Sequence, residues 1–247
     1  MRLAVIADIH GNVLALDAVL ADLSRHAPDL VVNLGDCVSG PLWPRETMER
    51  LNALGAPTVR GNHDREVSAA VASADLGPSD RYAHGQLTAE QRAQLGSLPM
   101  QVKPAPGVLA FHARPDDDVK YLTEDVESGR LVRAPPRKIA KRLSPVDARL
   151  VLCGHSHRPD AVQLPGGPLI VNPGSVGCPA YDANGHVSES GSPYARYAII
   201  DVSSDGPASV SFQLAPYPFE DAARQAERNR RSEWAHALRT GFMPPRD

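Results

Sequence analysis

The sequence predicts an α/β fold in which a parallel sheet carries helices on its faces. Short apolar segments rich in β-branched residues recur along the chain, and stretches of helical spacing alternate with them. Size agrees: 247 residues, 42% hydrophobic and 22% charged, suffice for one large core and exclude wholesale disorder.

Leu3–Ala7 is apolar on both faces, as a central strand should be. From Val13 to about Arg25, Val13, Leu16, Val19, Leu20 and Leu23 repeat at helical spacing behind Asn12, a good N-cap. Pro28 breaks that pattern, and Leu30–Leu34 reads as a second strand. A Gly/Pro-rich loop, Gly35–Pro44, leads into a helix near Arg45–Leu54, and Pro57–Arg60 reads as a third short strand. Arg65–Gly96 is mostly helical in pattern. Val108–Phe111 is a strand ending at His112, and polar residues 115–145 suggest a helical excursion. Leu150–Cys153 and Leu169–Asn172 are strands, and residues 179–193, rich in Gly, Ser, Asn and Asp, read as a loop. Tyr197–Val202 and Val210–Leu214 return to strand. One domain over 1–215 is expected, followed at 216–247 by an amphipathic helix, Phe219–Leu238, for packing or oligomerisation, and a frayed tail, Met243–Asp247.

A net charge of −3 provides no broad basic footprint, so duplex nucleic acid is not an expected partner. The opening apolar run stops at Asp8, too short for a signal peptide or a membrane span. Three cysteines without a CxxC pair suggest reduced thiols, and the expected location is cytoplasmic.

Five segments arrive where a strand gives way to a loop: Asp8-Ile9-His10, Gly35-Asp36, Gly61-Asn62-His63-Asp64, His112 and Gly154-His155-Ser156-His157. In open α/β sheets that edge is where ligands bind. On an extended segment, residues i and i+2 share a face, so Asp8 with His10, and His155 with His157, can each offer two ligands to one volume. Two carboxylates, an amide oxygen and four imidazoles suit Mn, Fe, Zn or Co. Seven ligands exceed one ion's needs, which points to a two-metal centre with open positions. Asp, Asn and Gly also end strands in ordinary turns, but the co-occurrence favours metal.

In that order, D-x-H, GD, GNHD, a strand-end His and GHSH resemble the calcineurin-like metallophosphoesterase superfamily, particularly its small bacterial phosphodiesterase-type members. Asn172-Pro173-Gly174-Ser175-Val176 adds to the match, which runs from residue 1 to about 202. The resemblance implies a β-sandwich of two mixed sheets flanked by helices, with a dinuclear site at its mouth. It also implies that Asp8, His10 and His157 hold one ion, that Asn62, His112 and His155 hold the other, and that Asp36 bridges them. His63 would stand beside the substrate. Two divalent transition-metal ions are implied, with Mn preferred and Fe, Zn, Co or Ni as alternatives.

Three positions depart from the family pattern. Gly35-Asp36-Cys37-Val38-Ser39-Gly40 lacks the second Asp and the Arg of protein phosphatases; Ala113 follows the strand-end His where Gly is common; Ala180 stands where an Arg is common. Arg65 and Arg114 are candidates for phosphate contact, against surface or ion-pair roles. Asp64 either orients His63 or caps a helix. Asp116–Asp118 reads as a solvated loop, and Cys37 and Cys153 as small buried residues.

The expected activity is metal-dependent hydrolysis of a small phosphoester, a nucleotide-derived diester first. Water activated between the ions attacks phosphorus in line, and His63 assists the leaving group. Phosphomonoesters and dinucleoside polyphosphates are the alternatives. A non-catalytic scaffold and a zinc amidohydrolase are the rivals from other classes. Oligomeric state stays open.

Overall fold

The computed structural model describes residues 1–69, 75–143, 145–183, 185–203 and 209–245. In chain order the elements are β1 (Arg2–Ile6), α1 (Val13–His26), β2 (Leu30–Asn33), α2 (Pro44–Leu54), α3 (Asn62–Ser68), α4 (Pro78–Gln86) and α5 (Ala89–Ser97). There follow β3 (Gln101–Ala105), β4 (Val108–Phe111), β5 (Glu124–Glu127), β6 (Arg130–Arg133), α6 (Pro136–Leu143), β7 (Leu150–Leu152), β8 (Asp160–Gln163) and β9 (Leu169–Asn172). The chain ends in β10 (Ala180–Ala183), β11 (His186–Glu189), β12 (Ala195–Asp201), β13 (Ser209–Ala215), α7 (Phe219–Arg228) and α8 (Ser232–Thr240).

Two mixed sheets form the sandwich, in orders β13-β12-β1-β2 and β3-β4-β7-β9-β8. Within the sandwich, the parallel strand pairs are β1–β2 in one sheet and β4–β7–β9 in the other. Parallel strands therefore occur in both sheets, where the alternation of strand and helix alone suggested one. Strand periodicity explains the packing. Leu3 and Val5 of β1 face the opposite sheet, meeting Val108, Leu150, Leu152 and Val171. Their neighbours Ala4 and Ile6 face α1, α7 and α8 through Leu16, Val19, Ala222 and Leu238. With both faces covered, β1 has no polar residue after Arg2.

Five expectations change. Residues 115–145 are helical only in α6; before it, β5 and β6 pair antiparallel as a hairpin. The supposed loop at 179–193 is a second hairpin, β10–β11, and β11 joins β6 in a third sheet, β10-β11-β6-β5. That pairing joins residues far apart in sequence, so composition alone, dominated by turn formers, pointed the other way. The single C-terminal helix is two, broken at Asn229–Arg231, where Arg230 has φ +58°. Of the third expected strand only a bridge, Asn33 to Thr58, forms. The tail is tied down at Met243, whose N–H donates to Glu189 Oε1 at 3.0 Å; Arg246 and Asp247 lie outside the described residues.

Candidate metal centre

Six of the eight predicted site residues, His10, Asp36, Asn62, His63, His155 and His157, line one cavity at the strand ends, and Asp8 and His112 lie against Asp36 beneath it, though not by the extended geometry expected. β1 ends at Ile6, and Asp8, His10, Asp36, His155 and His157 all have φ between +51° and +68°. These are five of the eight non-glycine residues with positive φ among the described residues. Left-handed turns, each costing conformational energy, aim the side chains inward. The turns are packed tightly. A Cβ on Gly61 would lie 2.1 Å from Asp36 Oδ1, and one on Gly177 would lie 1.8 Å from Ile9 O.

The Asn172–Val176 segment holds this arrangement from behind. Ser175 Oγ donates to Asp8 O, Val176 N–H to Ala7 O, and Asn172 Nδ2 to Gly154 O. Asp64 neither orients His63 nor serves only as a cap. Its carboxylate accepts from Asp36 N, Cys37 N and Gly61 N, all at 2.9 Å, and so clamps the Asp36 turn.

Each imidazole is set by a backbone carbonyl. His10 Nδ1 donates to Ser39 O at 2.8 Å, His157 Nδ1 to Cys178 O at 2.8 Å, His112 Nδ1 to Leu34 O at 2.7 Å and His155 Nε2 to Val119 O at 2.6 Å. A carbonyl only accepts, so the opposite ring nitrogen of a neutral imidazole carries a lone pair. Those lone pairs meet other acceptors. His10 Nε2 is 3.1 Å from His157 Nε2, and Asp8 Oδ1 is 3.5 Å from the latter. Asn62 Oδ1 is 3.2 Å from His112 Nε2, which is 3.3 Å from Asp36 Oδ2. Turning the Asn62 amide over would point its NH₂ at His112 and His155, but would leave the His10–His157 pair facing itself. His10, His157 and Asp8 converge as acceptors with no proton between them and repel, and a cation reverses the sign; at His112 and Asp36 either a proton or a cation does so. The donor set therefore fits divalent metal ions.

Titration behaviour agrees. Burial lowers His10 to about 4 and His155 to about 3, keeping both neutral, as ligands must be. Burial raises Asp8 to about 8, so this carboxylate ionises fully at neutral pH only beside added positive charge. Burial also opposes charge on His112, but the Asp36 carboxylate outweighs it and lifts the imidazole to about 9. A proton on His112 then does for Asp36 what a cation would.

His63 lies outside these groups. Its N–H donates to Asp36 Oδ1 at 3.0 Å, its ring centroid is 5.5 Å from that of His10, and Nδ1 is 2.8 Å from Asp80 Oδ1. Burial pulls its pKa down, while Asp36 and Asp80 together raise it to about 10. Arg65 pairs with Asp118 through two hydrogen bonds, and Arg114 Nε donates to Tyr121 O. Both arginines fasten the 115–121 loop, and neither lines the cavity. Asp118 is thus not simply solvated.

Sequence reasoning missed Asp80, Glu124 and an aromatic cluster. Glu124 is buried behind the GHSH turn, where Oε1 accepts from Ser156 Oγ at 2.6 Å. Tyr121 Oη is 2.7 Å from both Tyr181 Oη and His186 Nε2, and the Tyr121 and Tyr181 rings lie 4.9 Å and 4.6 Å from those of His155 and His157. Cys178, also missed, places its thiol near the His10 and His157 nitrogens, but donates to Ala180 O and is held neutral by burial. None of these carried a motif; Asp80, 17 residues from His63, had only its charge to mark it.

A sequence model of the calcineurin-like phosphoesterase superfamily domain matches residues 1–205. An uncharacterized protein of Methanocaldococcus jannaschii is 26% identical over 258 residues, 94% of each chain. The crystal structure of a metallophosphoesterase from Sphaerobacter thermophilus superposes with a TM-score of 0.76 at 28% identity, covering 98% of this chain and 99% of that one. A hypothetical protein from Pyrococcus horikoshii OT3 gives 0.77 at 20% identity over the same shares. The chain belongs to the calcineurin-like phosphoesterase superfamily.

Proposed function

We propose that this metal-dependent phosphoester hydrolase acts on small phosphodiesters through a dinuclear centre. The observation that carries the dinuclear reading is that Asp36 belongs to two separate ligand groups. One is Asp8, His10 and Asp36, and the other Asp36, His112 and His155; within each, the ligand atoms lie within 4.8 Å of one another. Asp8, His10 and His157 would hold one ion, Asn62, His112 and His155 the other, and Asp36 both. When bound, the ions supply Lewis acidity that activates water and offsets charge on the phosphoryl oxygens. Mn is the proposed metal, because the donors are oxygen and imidazole nitrogen.

His63 completes the chemistry. Asp80 holds Nδ1, so the ring is fixed and Nε2 remains to donate a proton to the leaving oxygen. An alkoxide leaving group needs that proton, and the lack of a second Asp and an Arg in Gly35–Gly40, as protein phosphatases carry them, supports diesters first. The three cysteines are unpaired and buried, which supports a reducing, cytoplasmic setting.

The test is a substrate panel on Mn-loaded protein, comparing nucleotide phosphodiesters and cyclic nucleotides with phosphomonoesters and dinucleoside polyphosphates. Turnover of diesters above monoesters, abolished by chelation and restored by Mn, is expected. Faster turnover of monoesters or polyphosphates would overturn the diester assignment, and full activity after chelation would overturn the metal mechanism.

A further inference from the structure

The cavity over the metal centre has a volume of ≈550 Å³, within the roughly 300–1,000 Å³ typical of small-molecule sites. Part of its wall comes from α8 and the residue that precedes it, beyond the 1–205 family match: Arg231, Glu233, Trp234 and Ala237 all line it. The C-terminal segment therefore does more than pack. Arg231 is the single Arg or Lys among the described lining residues. It is held in place, with Nε donating to Glu233 Oε1 and Nη1 to Ser79 Oγ at 3.1 Å, and its side chain is only 19% exposed. Nη2 makes no hydrogen bond among the described residues. An anchored guanidinium with one open edge is a prepared contact for a phosphoryl oxygen.

Trp234 stands next to it. The Arg231 guanidinium carbon is 5.9 Å from the indole centroid, and the indole is 6.1 Å from the His10 ring. The cavity thus offers, beside the metal ligands, one cation and one large flat apolar surface. Aromatic rings of this kind bind planar bases with little dependence on their identity.

Building on the diesterase reading above, we propose that Arg231 and Trp234 select phosphoesters that carry a nucleobase or a similar flat ring. Arg231 takes a phosphoryl oxygen turned away from the metal ligands, and Trp234 packs against the ring. Arg231 and Trp234 are recognition residues, and no bond is made or broken by either.

Two probes separate the contributions: the 5′-methylenephosphonate isosteres of adenosine and of ribose, which have no ester bond to cleave at that position. Their dissociation constants are measured by calorimetry on the Mn-loaded full chain. W234L should weaken the adenosine compound about tenfold and leave the ribose compound nearly unchanged, and W234F should restore most of the loss. R231Q should weaken both compounds about tenfold, because both carry the phosphonate. E233Q should tighten both, since it frees the guanidinium from a competing carboxylate. In a W43F background, which leaves Trp234 as the only tryptophan, the adenosine compound should perturb the fluorescence and the ribose compound should not. If the two residues only anchor α8, W234L weakens both compounds alike and E233Q behaves as R231Q does; either result overturns the proposal. So would equal affinity of wild type for both compounds. Failure of the diesterase reading shows separately, as absence of diester turnover by the Mn-loaded wild type.

Discussion

Around the inner rim of the cavity, side chains hang from left-handed turns at the ends of buried parallel strands, and the turns are locked by backbone contacts that leave no room for a Cβ at Gly61 or Gly177. The outer wall is assembled otherwise. It comes from the third sheet, through Tyr181 and His186, from the 115–121 loop through Tyr121, and from α8 through Trp234. Rim residues are fixed by strain and by carbonyls that set each imidazole. Wall residues are fixed by side-chain hydrogen bonds and ring contacts, which are individually worth about 1 kcal/mol. On the proposed function, the contrast sets a division of labour to be tested: the rim governing metal content and rate, and the wall governing which substrate stays long enough to react.

The largest expected effect breaks the rim. Asp36→Asn removes the one charge shared by both ligand groups, so metal content and kcat should fall together. The loss should exceed the roughly 10–100-fold that removal of a partner outside the ligand shell costs. Elemental analysis beside kinetics checks it, and retained metal with full activity would refute the shared-carboxylate reading. His63→Ala comes next and should keep its metals, since His63 stands off the ligand groups. Its kcat on a nucleotide diester should drop about 10²–10⁴-fold, and far less on a nitrophenyl ester, whose leaving group needs no proton. Equal losses on both esters would make His63 a donor to the phosphoryl oxygens instead.

The same division explains what could be read from the sequence. Rim residues are recognisable because chemistry and turn geometry make the same demand. Asp, Asn and His tolerate positive φ better than other side chains and also ligate metals, so motifs such as Gly154-His155-Ser156-His157 mark both. The expected route was nevertheless wrong, because left-handed turns, and not extended alternation, bring Asp8 to His10, and they send His155 and His157 to different ligand groups. On the wall no such double demand exists. Tyr121 and Tyr181 are 60 residues apart, and only the β11–β6 pairing, invisible in a Gly- and Ser-rich stretch, brings them together. Trp234 lies in a helix whose apolar residues read equally well as packing. Asp80 bridges the two regions: it lines the cavity yet acts on a rim neighbour, His63.

That bridging position gives a smaller and directional prediction. The Asp36 and Asp80 carboxylates raise His63 to about 10 against the effect of burial. A general acid works while protonated, so activity is lost as pH rises through the His63 pKa, which cations held at Asp36 set below its value in the metal-free site. Asp80→Asn removes the charge that also bonds the ring, lowers the His63 pKa and moves the alkaline limb of the kcat profile to lower pH. Metal content should not change. An alkaline limb left in place would show that His63 is not the group being titrated.

The smallest effect tests the wall alone. Tyr121→Phe keeps the ring against His155 and deletes only the hydroxyl that joins Tyr181 Oη and His186 Nε2, each at 2.7 Å. Net hydrogen-bond contributions of this size correspond to a change of about two- to tenfold. Because the hydroxyl touches no predicted ligand, the change should fall on KM, with kcat on a nitrophenyl ester and metal content both preserved. Tyr181→Phe removes the partner hydroxyl from the same network, so the double variant should lose little more than either single one. Additive losses would mean that the two tyrosines contact substrate separately. A fall in metal content would carry further, because it would make the wall part of the support for the rim and end the division between them.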